Sequence, residues 1–183
     1  MSFPTELNTD NEKIRLIAPD IERDSELSVN WLSGEIGKNT LILMGNVPGA
    51  IPDPRLESEE EKLERERKRV SEFLNDKAQL NWMIEFDGQV VGTVWVEKEP
   101  KDSVPSPSIH IMIGDPRVRG KSVGFTASSR VVKYLEKMGE ETIYSRHLAK
   151  NTKAKDMLHR LGFKNKGEPY TDHDDLKWQN VER

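Results

Sequence analysis

The chain has 183 residues, a length that favours one domain. Its 32 Asp and Glu residues outnumber 28 Lys and Arg, and the interleaved signs argue against a general nucleic-acid binder. The absence of cysteine excludes disulfides, thiolate zinc sites and a cysteine nucleophile. The sequence contains no run of 18 apolar residues, so it predicts no membrane-spanning segment, and the first 21 residues lack the apolar core of a signal peptide. We therefore expect a cytoplasmic protein.

The first elements are a tail, a strand and a helix. Residues 1–11 are polar, and we expect them to form a flexible tail ahead of a single domain over residues 12–183. Residues 13–18 alternate as a first strand. Pro19 separates this strand from a helix that extends to about Leu32.

A loop and a strongly charged helix follow. Residues 45–55 hold three prolines and two glycines, which predicts a long loop of the kind that often borders binding sites. Residues 57–74 predict a helix whose acidic residues precede its basic ones, an order that suits the helix dipole. An apolar seam at helical spacing predicts that this helix docks on the core and leaves its charges in water. The seam comprises Leu56, Leu63, Val70, Phe73 and Leu74.

Strands dominate the second half of the chain. Residues 81–86 and 89–97 flank the dipeptide Asp87–Gly88, which predicts a β-hairpin. A third strand over 109–113 precedes a helix over 121–138. A strand over 142–148, a helix over 151–161 and a strand near 174–178 complete the order. Because strands precede and alternate with helices, the fold class is α/β or α+β with a mixed sheet.

The stretch 109–124 (IHIMIGDPRVRGKSVG) predicts an anion site. A strand runs there into a turn of small and basic residues that opens a helix, and the N–H groups at a helix N-terminus are unpaired and positively polarised. Gly120 and Gly124 allow a ligand to approach the backbone closely. Positive charge comes from Arg117, Arg119 and Lys121. The natural occupant of such a turn is a pyrophosphate.

Known phosphate motifs narrow this prediction. The sequence Gly120-Lys121-Ser122 resembles the end of a P-loop, but Asp115 stands where that motif requires glycine, and no G-x-G-x-x-G is present. The pattern R-x-x-G-x-G/A fits from Arg119 to Gly124, with Ser122 in place of its first glycine. This turn resembles the one that cradles the pyrophosphate of acetyl-CoA in the GCN5-related N-acetyltransferase (GNAT) superfamily.

A second motif supports the resemblance. Residues 151–163 (NTKAKDMLHRLGF) resemble the family segment N-x-x-S/A…L-G-F and follow a predicted strand at the expected distance. Residues 13–35 and 82–98 more loosely resemble the branch that includes the RimJ/RimL-type acetyltransferases of ribosomal-protein N-termini. The resemblance implies a mixed, mostly antiparallel central sheet flanked by helices. It also implies a splayed strand pair that accepts the pantetheine of CoA.

The same resemblance implies acetyl-CoA as co-substrate and direct attack of a primary amine on its thioester. A backbone N–H of the third strand, at Met112 or Ile113, would stabilise the developing oxyanion. The residues expected to bind acetyl-CoA are Met112, Ile113, Arg117, Arg119, Gly120, Lys121, Ser122, Val123, Gly124, Asn151 and Lys153.

The acid–base residues are less well defined by the sequence. Many relatives protonate the leaving thiolate with a tyrosine of the last helix, and Leu158 occupies that position here. His110 is the first candidate base because an imidazole titrates near neutrality, and a partly buried structural histidine is the alternative. Glu97, at the end of the hairpin, is the second candidate. Trp31 is a candidate wall of the acceptor site, with an ordinary core residue as the alternative.

The acceptor is left open between a protein N-terminus and a cationic small molecule. A cationic amine would suit the acidic start of the charged helix, formed by Glu57, Glu59, Glu60 and Glu61. Ser122 and Leu158 keep open a non-catalytic acyl-CoA-binding or regulatory module, and an anion-binding protein unrelated to CoA is a third alternative. We expect no metal, no nucleic acid and no membrane partner. A homodimer is expected because exposed sheet edges in this fold commonly pair.

Overall fold

A computed structural model describes residues 4–53 and 56–183. Over these residues the chain forms five α-helices and a nine-stranded sheet in the order β1-β2-β3-β4-β5-β6-β9-β7, with β8 paired to β9. The strands are β1 (Leu7–Asn8), β2 (Ile14–Ile17), β3 (Gln79–Phe86), β4 (Gln89–Glu97), β5 (Ser108–Ile113), β6 (Tyr144–Leu148), β7 (Lys164–Asn165), β8 (Tyr170–Thr171) and β9 (Lys177–Glu182). The helices are α1 (Ile21–Trp31), α2 (Gly34–Leu43), α3 (Glu59–Asn75), α4 (Val123–Lys137) and α5 (Thr152–Arg160).

The sheet is mixed and mostly antiparallel, as predicted. Among the strand pairs of the described residues, β5 and β6 run parallel and the others run antiparallel. The hairpin of β3 and β4 turns at Asp87 and Gly88, which both have positive φ, at 49° and 77°. Such a pair of left-handed residues matches the twist of the two strands, so the predicted turn chemistry is confirmed.

Helices cover both faces of the sheet. Helix α4 buries Val123, Ala127, Val131 and Leu135 against one face, where they pack with Ile109 of β5. On the other face, α1 supplies Trp31 to a smaller cluster with Met83 and Met112. No helix within 4–53 and 56–183 is long and apolar enough to cross a membrane.

The N-terminal residues differ from the predicted flexible tail over 1–11. Leu7 and Asn8 pair with β2, and Leu7 is buried in the main core. The indole Nε1 of Trp82 donates to the carbonyl of Pro4 at 3.1 Å. These contacts attach residues 4–8 to the sheet, and residues 1–3 of the predicted tail lie outside the described part.

The segment between β2 and β3 holds one helix more than predicted. Helix α2 precedes the loop, which contains a short 3₁₀ turn at Pro48–Ala50; residues 54–55 of the predicted loop lie outside the described part. Leu56 was expected on the apolar seam of α3, but its side chain is 83% exposed. The reason is that α3 begins at Glu59 behind an N-cap at Ser58, so Leu56 precedes the helix.

The end of the chain also departs from the sequence prediction. The sequence predicts the last strand near 174–178, but β9 begins at Lys177. The carboxylate of Asp172 accepts from the backbone N–H groups of Asp174 and Leu176, both at 2.9 Å, and this side chain folds the segment into a turn.

Candidate functional site

A cleft opens between the two parallel strands of the sheet. Strands β5 and β6 pair at one register position, Ser108 with Tyr144. At the next step the carbonyl of Ile109 accepts from the Ser145 hydroxyl at 2.7 Å. A side chain thus takes the place of a backbone amide, and the two strands separate beyond it. The predicted splayed pair is therefore β5 and β6.

The direction of the β5 backbone groups follows from two hydrogen bonds. The carbonyl of Ile109 faces β6, whereas the N–H of Gly114 donates back to β4 at 2.9 Å. Because successive residues of a strand direct their N–H and C=O groups to opposite sides, Ile111 and Ile113 face the cleft and Met112 faces β4. Of the two N–H groups expected to stabilise an oxyanion, the geometry therefore favours Ile113.

The turn after β5 holds its two arginines by internal contacts. Arg119 donates to the carbonyl of Ile113 at 2.9 and 3.1 Å and to Thr40 of α2 at 2.8 Å. Arg117 pairs with Asp115 at 2.6 Å and holds the pKa of that carboxyl below its usual range. Both residues shape the turn, and Arg119 also joins it to α2.

The start of α4 presents unpaired backbone donors at the mouth of the cleft. Gly120 has φ 82° and Ser122 has φ 62°, with no side-chain cap bond from Ser122. Ser122 thus adopts the left-handed conformation that glycine tolerates best, at the position where the family motif has glycine. The side chain of Val123 is buried, so it can offer a ligand only its N–H. Lys121 is exposed beside these donors.

The residues predicted in the second motif border the same cleft. Asn151 caps α5, its side-chain oxygen accepting from the N–H of Ala154 at 3.1 Å, and Lys153 is exposed in the first turn. Leu158 is buried in the main core. The position of the family's tyrosine therefore offers no proton donor.

A cavity of about 740 Å³ lies on the face of the sheet that α1 covers, opposite to α4. Its walls come from the end of α1, from α2, from the loop that follows and from α3, and Met112 is the residue of β5 that lines it. The apolar lining includes Val29, Leu32, Leu41, Met44, Pro48, Ala50, Ile51 and Pro52. Since Met112 lies between Ile111 and Ile113, the cavity meets β5 where the backbone faces the cleft.

The charges of this cavity correct the expectation of an acidic acceptor site. Glu57 pairs with Arg65, Glu59 pairs with Lys62, and Glu61 completes the capping box of α3. Among residues 4–53 and 56–183, the lining holds four acidic residues, Glu35, Asp53, Glu57 and Glu66, and four basic ones, Lys38, Lys62, Arg65 and Arg69. Neighbouring side chains and the helix cap thus engage three of the four glutamates expected at this site, and the described part of the lining is balanced in charge.

Trp31 lies behind the cavity instead of forming its wall. The indole is 8% exposed, packs with Met83 and Met112, and is not among the lining residues. A Cβ atom on Gly114 would lie 2.1 Å from this ring. The alternative of a core residue therefore describes Trp31, because its ring fills the space over the end of β5.

His110 is held in a structural setting. Its ring stacks on Trp95 at a centroid distance of 5.3 Å, and its Nε2 lies 3.0 Å from the hydroxyl of Ser108. Burial lowers the pKa of His110 to about 3, and the charges of Arg146 and Lys101 add to this effect. An imidazole with a lowered pKa is neutral near pH 7, and the ring of His110 already contacts Ser108 and Trp95.

Glu97 is likewise committed to other groups. It is 6% exposed, and its Oε1 accepts from Gln79 at 2.9 Å, Trp95 at 3.3 Å and Lys101 at 3.4 Å. Glu97 pairs with Ser108 at the closed end of the splay, four residues before Met112 along β5. That separation is roughly 13 Å at the usual rise of a strand.

The lowered pKa of His110 predicts a pH dependence of stability. Its folded pKa lies below the ordinary value of 6.5, so its contribution is complete above pH 6.5 and is lost as the pH falls towards 3. Because the neutral ring takes up a proton only on unfolding in this range, we expect a loss of about 1 kcal/mol per pH unit between pH 6.5 and 5. Urea unfolding of wild type and His110→Gln over this range measures the difference, and parallel curves would contradict the prediction.

The residues of α2 and of the inner face of α3 were not predicted from the sequence as part of the site. Glu66 is 4% exposed although it is charged, and Arg65 and Arg69 flank it on the cavity wall. A clue was present, because Glu66 falls on the apolar seam between Leu63 and Val70 at helical spacing. A carboxylate at such a position requires partners, which α3 supplies with Arg65 and Arg69 and α1 with Ser28.

No group of three or more His, Asp or Glu side chains within residues 4–53 and 56–183 could hold a metal ion.

Comparisons with known proteins agree with this architecture. Residues 20–164 match the family described as acetyltransferase (GNAT) domain. No curated protein sequence matches the chain.

Solved structures of low sequence identity share the fold. The microcin C7 self-immunity acetyltransferase MccE, solved with acetyl-CoA and AMP, has a TM-score of 0.72 and 14% identity, covering 94% of this chain and 93% of its own. RimL, the ribosomal L7/L12 α-N-protein acetyltransferase solved with CoA, has a TM-score of 0.70 and 15% identity, and the match covers 94% of each chain. Spermidine N-acetyltransferase from Vibrio cholerae, solved with CoA and spermine, has a TM-score of 0.68 and 17% identity. The match covers 94% of this chain and 96% of that protein. With a family match over residues 20–164, the chain belongs to the GNAT acetyltransferases.

Proposed function

We propose that this chain transfers the acetyl group of acetyl-CoA to a primary amine. One observation carries the proposal: the cleft between β5 and β6 and the cavity of α1, α2 and α3 meet at Met112. A thioester in the cleft would lie beside an amine in the cavity, and holding both reactants in line supplies a large part of the acceleration. Structural neighbours solved with acetyl-CoA or CoA support this assignment of the cleft.

The proposed reaction is a direct displacement. The amine nitrogen attacks the thioester carbon, the N–C bond forms, the C–S bond breaks, and CoA leaves as a thiolate that takes a proton from water. The N–H of Ile113 donates to the oxyanion that develops on the carbonyl oxygen. We propose that water takes the proton that the attacking nitrogen releases, because the ring of His110 is occupied by Ser108 and Trp95 and Glu97 already accepts three hydrogen bonds.

The proposed binding of the CoA phosphates uses the start of α4. The N–H groups of Val123 and Gly124 point out of the first turn of this helix, where an anion is favoured. Lys121 and Lys153 are exposed and free to add charge at this mouth. Arg117 and Arg119 contribute indirectly, because their hydrogen bonds shape the turn that presents these donors.

The test has two arms. Calorimetric titration with acetyl-CoA measures binding, and release of the CoA thiol is followed with a panel of amines and N-terminal peptides. We expect binding together with thiol release for at least one amine. Binding without turnover of any amine would favour the non-catalytic acyl-CoA-binding module, and absence of binding would overturn both.

Several finer predictions accompany this function. We propose membership of the RimJ/RimL-like branch, on the loose resemblance of residues 13–35 and 82–98. A protein N-terminus and a small amine remain the two acceptor classes. Homodimerisation and a cytoplasmic location stay predictions of the sequence.

A further inference from the structure

Two arginines stand one helical turn apart on the α3 wall of the cavity. Arg69 donates through Nε to Glu66 at 2.8 Å and through Nη2 to Ser28 of α1 at 2.6 Å. The hydroxyl of Ser28 donates in turn to Glu66 at 2.8 Å. Arg65 brings its Nε to 3.6 Å from Glu66 and its Nη1 to the carboxylate of Glu57. Carboxylates therefore hold both guanidinium groups in place: Glu66 contacts both, and Glu57 contacts Arg65.

The outer edges of the same guanidinium groups remain open. The side chains of Arg65 and Arg69 are 42% and 48% exposed, whereas that of Glu66 is 5% exposed. Neither Nη2 of Arg65 nor Nη1 of Arg69 has a hydrogen-bond acceptor among residues 4–53 and 56–183. Both residues line the cavity that Met112 closes on the β5 side.

This arrangement is poorly explained by helix docking alone. Burying a carboxylate is costly, and apolar residues of similar volume join helices at least as well. Two like charges four residues apart on a helix also destabilise it unless they are compensated. Glu66 compensates both arginines and orients them, and a planar guanidinium held in this way is preorganised to bind carboxylate or phosphate oxygens.

We propose that Arg65 and Arg69 bind an anionic oxygen group, a carboxylate or a phosphate, on the acceptor molecule that presents its amine at Met112. The inference rests on the proposed function and names its substrate class. Such an acceptor suits this wall better than a polycation, because Glu57 and Glu66 are already paired with the two arginines, whose open edges would repel additional ammonium groups. The apolar lining, including Leu32, Met44 and Ile51, would contact the body that connects the two groups.

The experiment compares matched acceptors in the thiol-release assay. Phenylalanine against phenylalaninamide tests a carboxylate, phosphoethanolamine against ethanolamine tests a phosphate, and spermidine represents a polycation. We expect kcat/KM to favour the anionic member of at least one pair. Arg69→Lys and Arg65→Gln should each lower kcat/KM for that member by about 10- to 100-fold, the value of a hydrogen bond to a charged group, and leave its neutral partner unchanged.

A matched control lies on the same helix. Arg67 pairs with Glu22 at 2.6 Å and does not line the cavity. Arg67→Gln should therefore leave the preference for the anionic acceptor intact. Thermal unfolding and acetyl-CoA affinity of each variant show whether the fold and the cleft are retained, and Arg65→Gln serves if Arg69→Lys loosens the contact of α1 with α3.

Two results would overturn the inference. The first is turnover of the neutral acceptors or spermidine as fast as the anionic ones, and the second is an equal loss for both members of a pair in the arginine variants. If acetyl-CoA binds but no amine is acetylated, the proposed function fails. Calorimetry of the same amines with the CoA-bound protein then decides the inference separately, since only the anionic members should bind and Arg69→Lys should weaken them.

Discussion

Gly124→Trp is expected to abolish acetyl-CoA binding, whereas Gly124→Ala should bind acetyl-CoA almost as wild type does. A Cβ atom on Gly124 would lie 3.5 Å from Ile111, Ile113 and Met157, an ordinary contact distance, so alanine fits without movement. An indole at this position has to enter the space between β5 and α5, where the cleft opens. The larger side chain then occupies the path of the pantetheine beside Ile111 and Ile113.

The measurement is a calorimetric titration of acetyl-CoA into the two variants and wild type. We expect the affinity of the tryptophan variant to fall by at least about 100-fold, equivalent to about 3 kcal/mol, which is the upper range for an overpacked site. Thermal unfolding separates a blocked cleft from a lost fold, and Gly124→Val gives an intermediate size if the tryptophan variant does not fold. Equal affinity in Gly124→Trp would remove the cleft assignment.

The second large effect concerns stability, at Gly114. A Cβ atom there would lie 2.1 Å from Cδ2 and 2.3 Å from Cε3 of Trp31, far inside contact distance. The indole cannot retreat, because it is 8% exposed and packed with Met83 and Met112. We expect Gly114→Ala to lower the free energy of unfolding by about 3 kcal/mol, the upper end for a well-packed core that must shift.

A glycine elsewhere supplies the control for this prediction. A Cβ atom on Gly49 would meet nothing within 4 Å, so Gly49→Ala should leave stability nearly unchanged. Urea unfolding of both variants measures the difference. Coincident midpoints for Gly114→Ala and wild type would mean that the ring of Trp31 does not lie over Gly114.

Local patterns in the sequence determined much of this fold. The Asp87–Gly88 turn, the alternation along β5 and the helical spacing of Val123, Ala127 and Val131 each depend on residues close in the chain. The small and basic turn after β5 predicts a helix N-terminus that favours an anion, and that prediction also needs only local chemistry. Helix α2 was not predicted from the sequence, because Gly34 and Gly37 lower the helix propensity of this segment.

Contacts between distant segments decided the site itself. Arg119 reaches Thr40, which is 79 residues away, and the Ser145 hydroxyl opens the cleft by bonding to Ile109, 36 residues away. The pKa of His110 depends on burial and on the charges of Arg146 and Lys101, and a periodic sequence pattern does not predict these contacts. Sequence chemistry thus determined which groups could bind an anion or a proton. Packing decided which of them stay free to do so, because a side chain already satisfied by a neighbour has little left for a substrate.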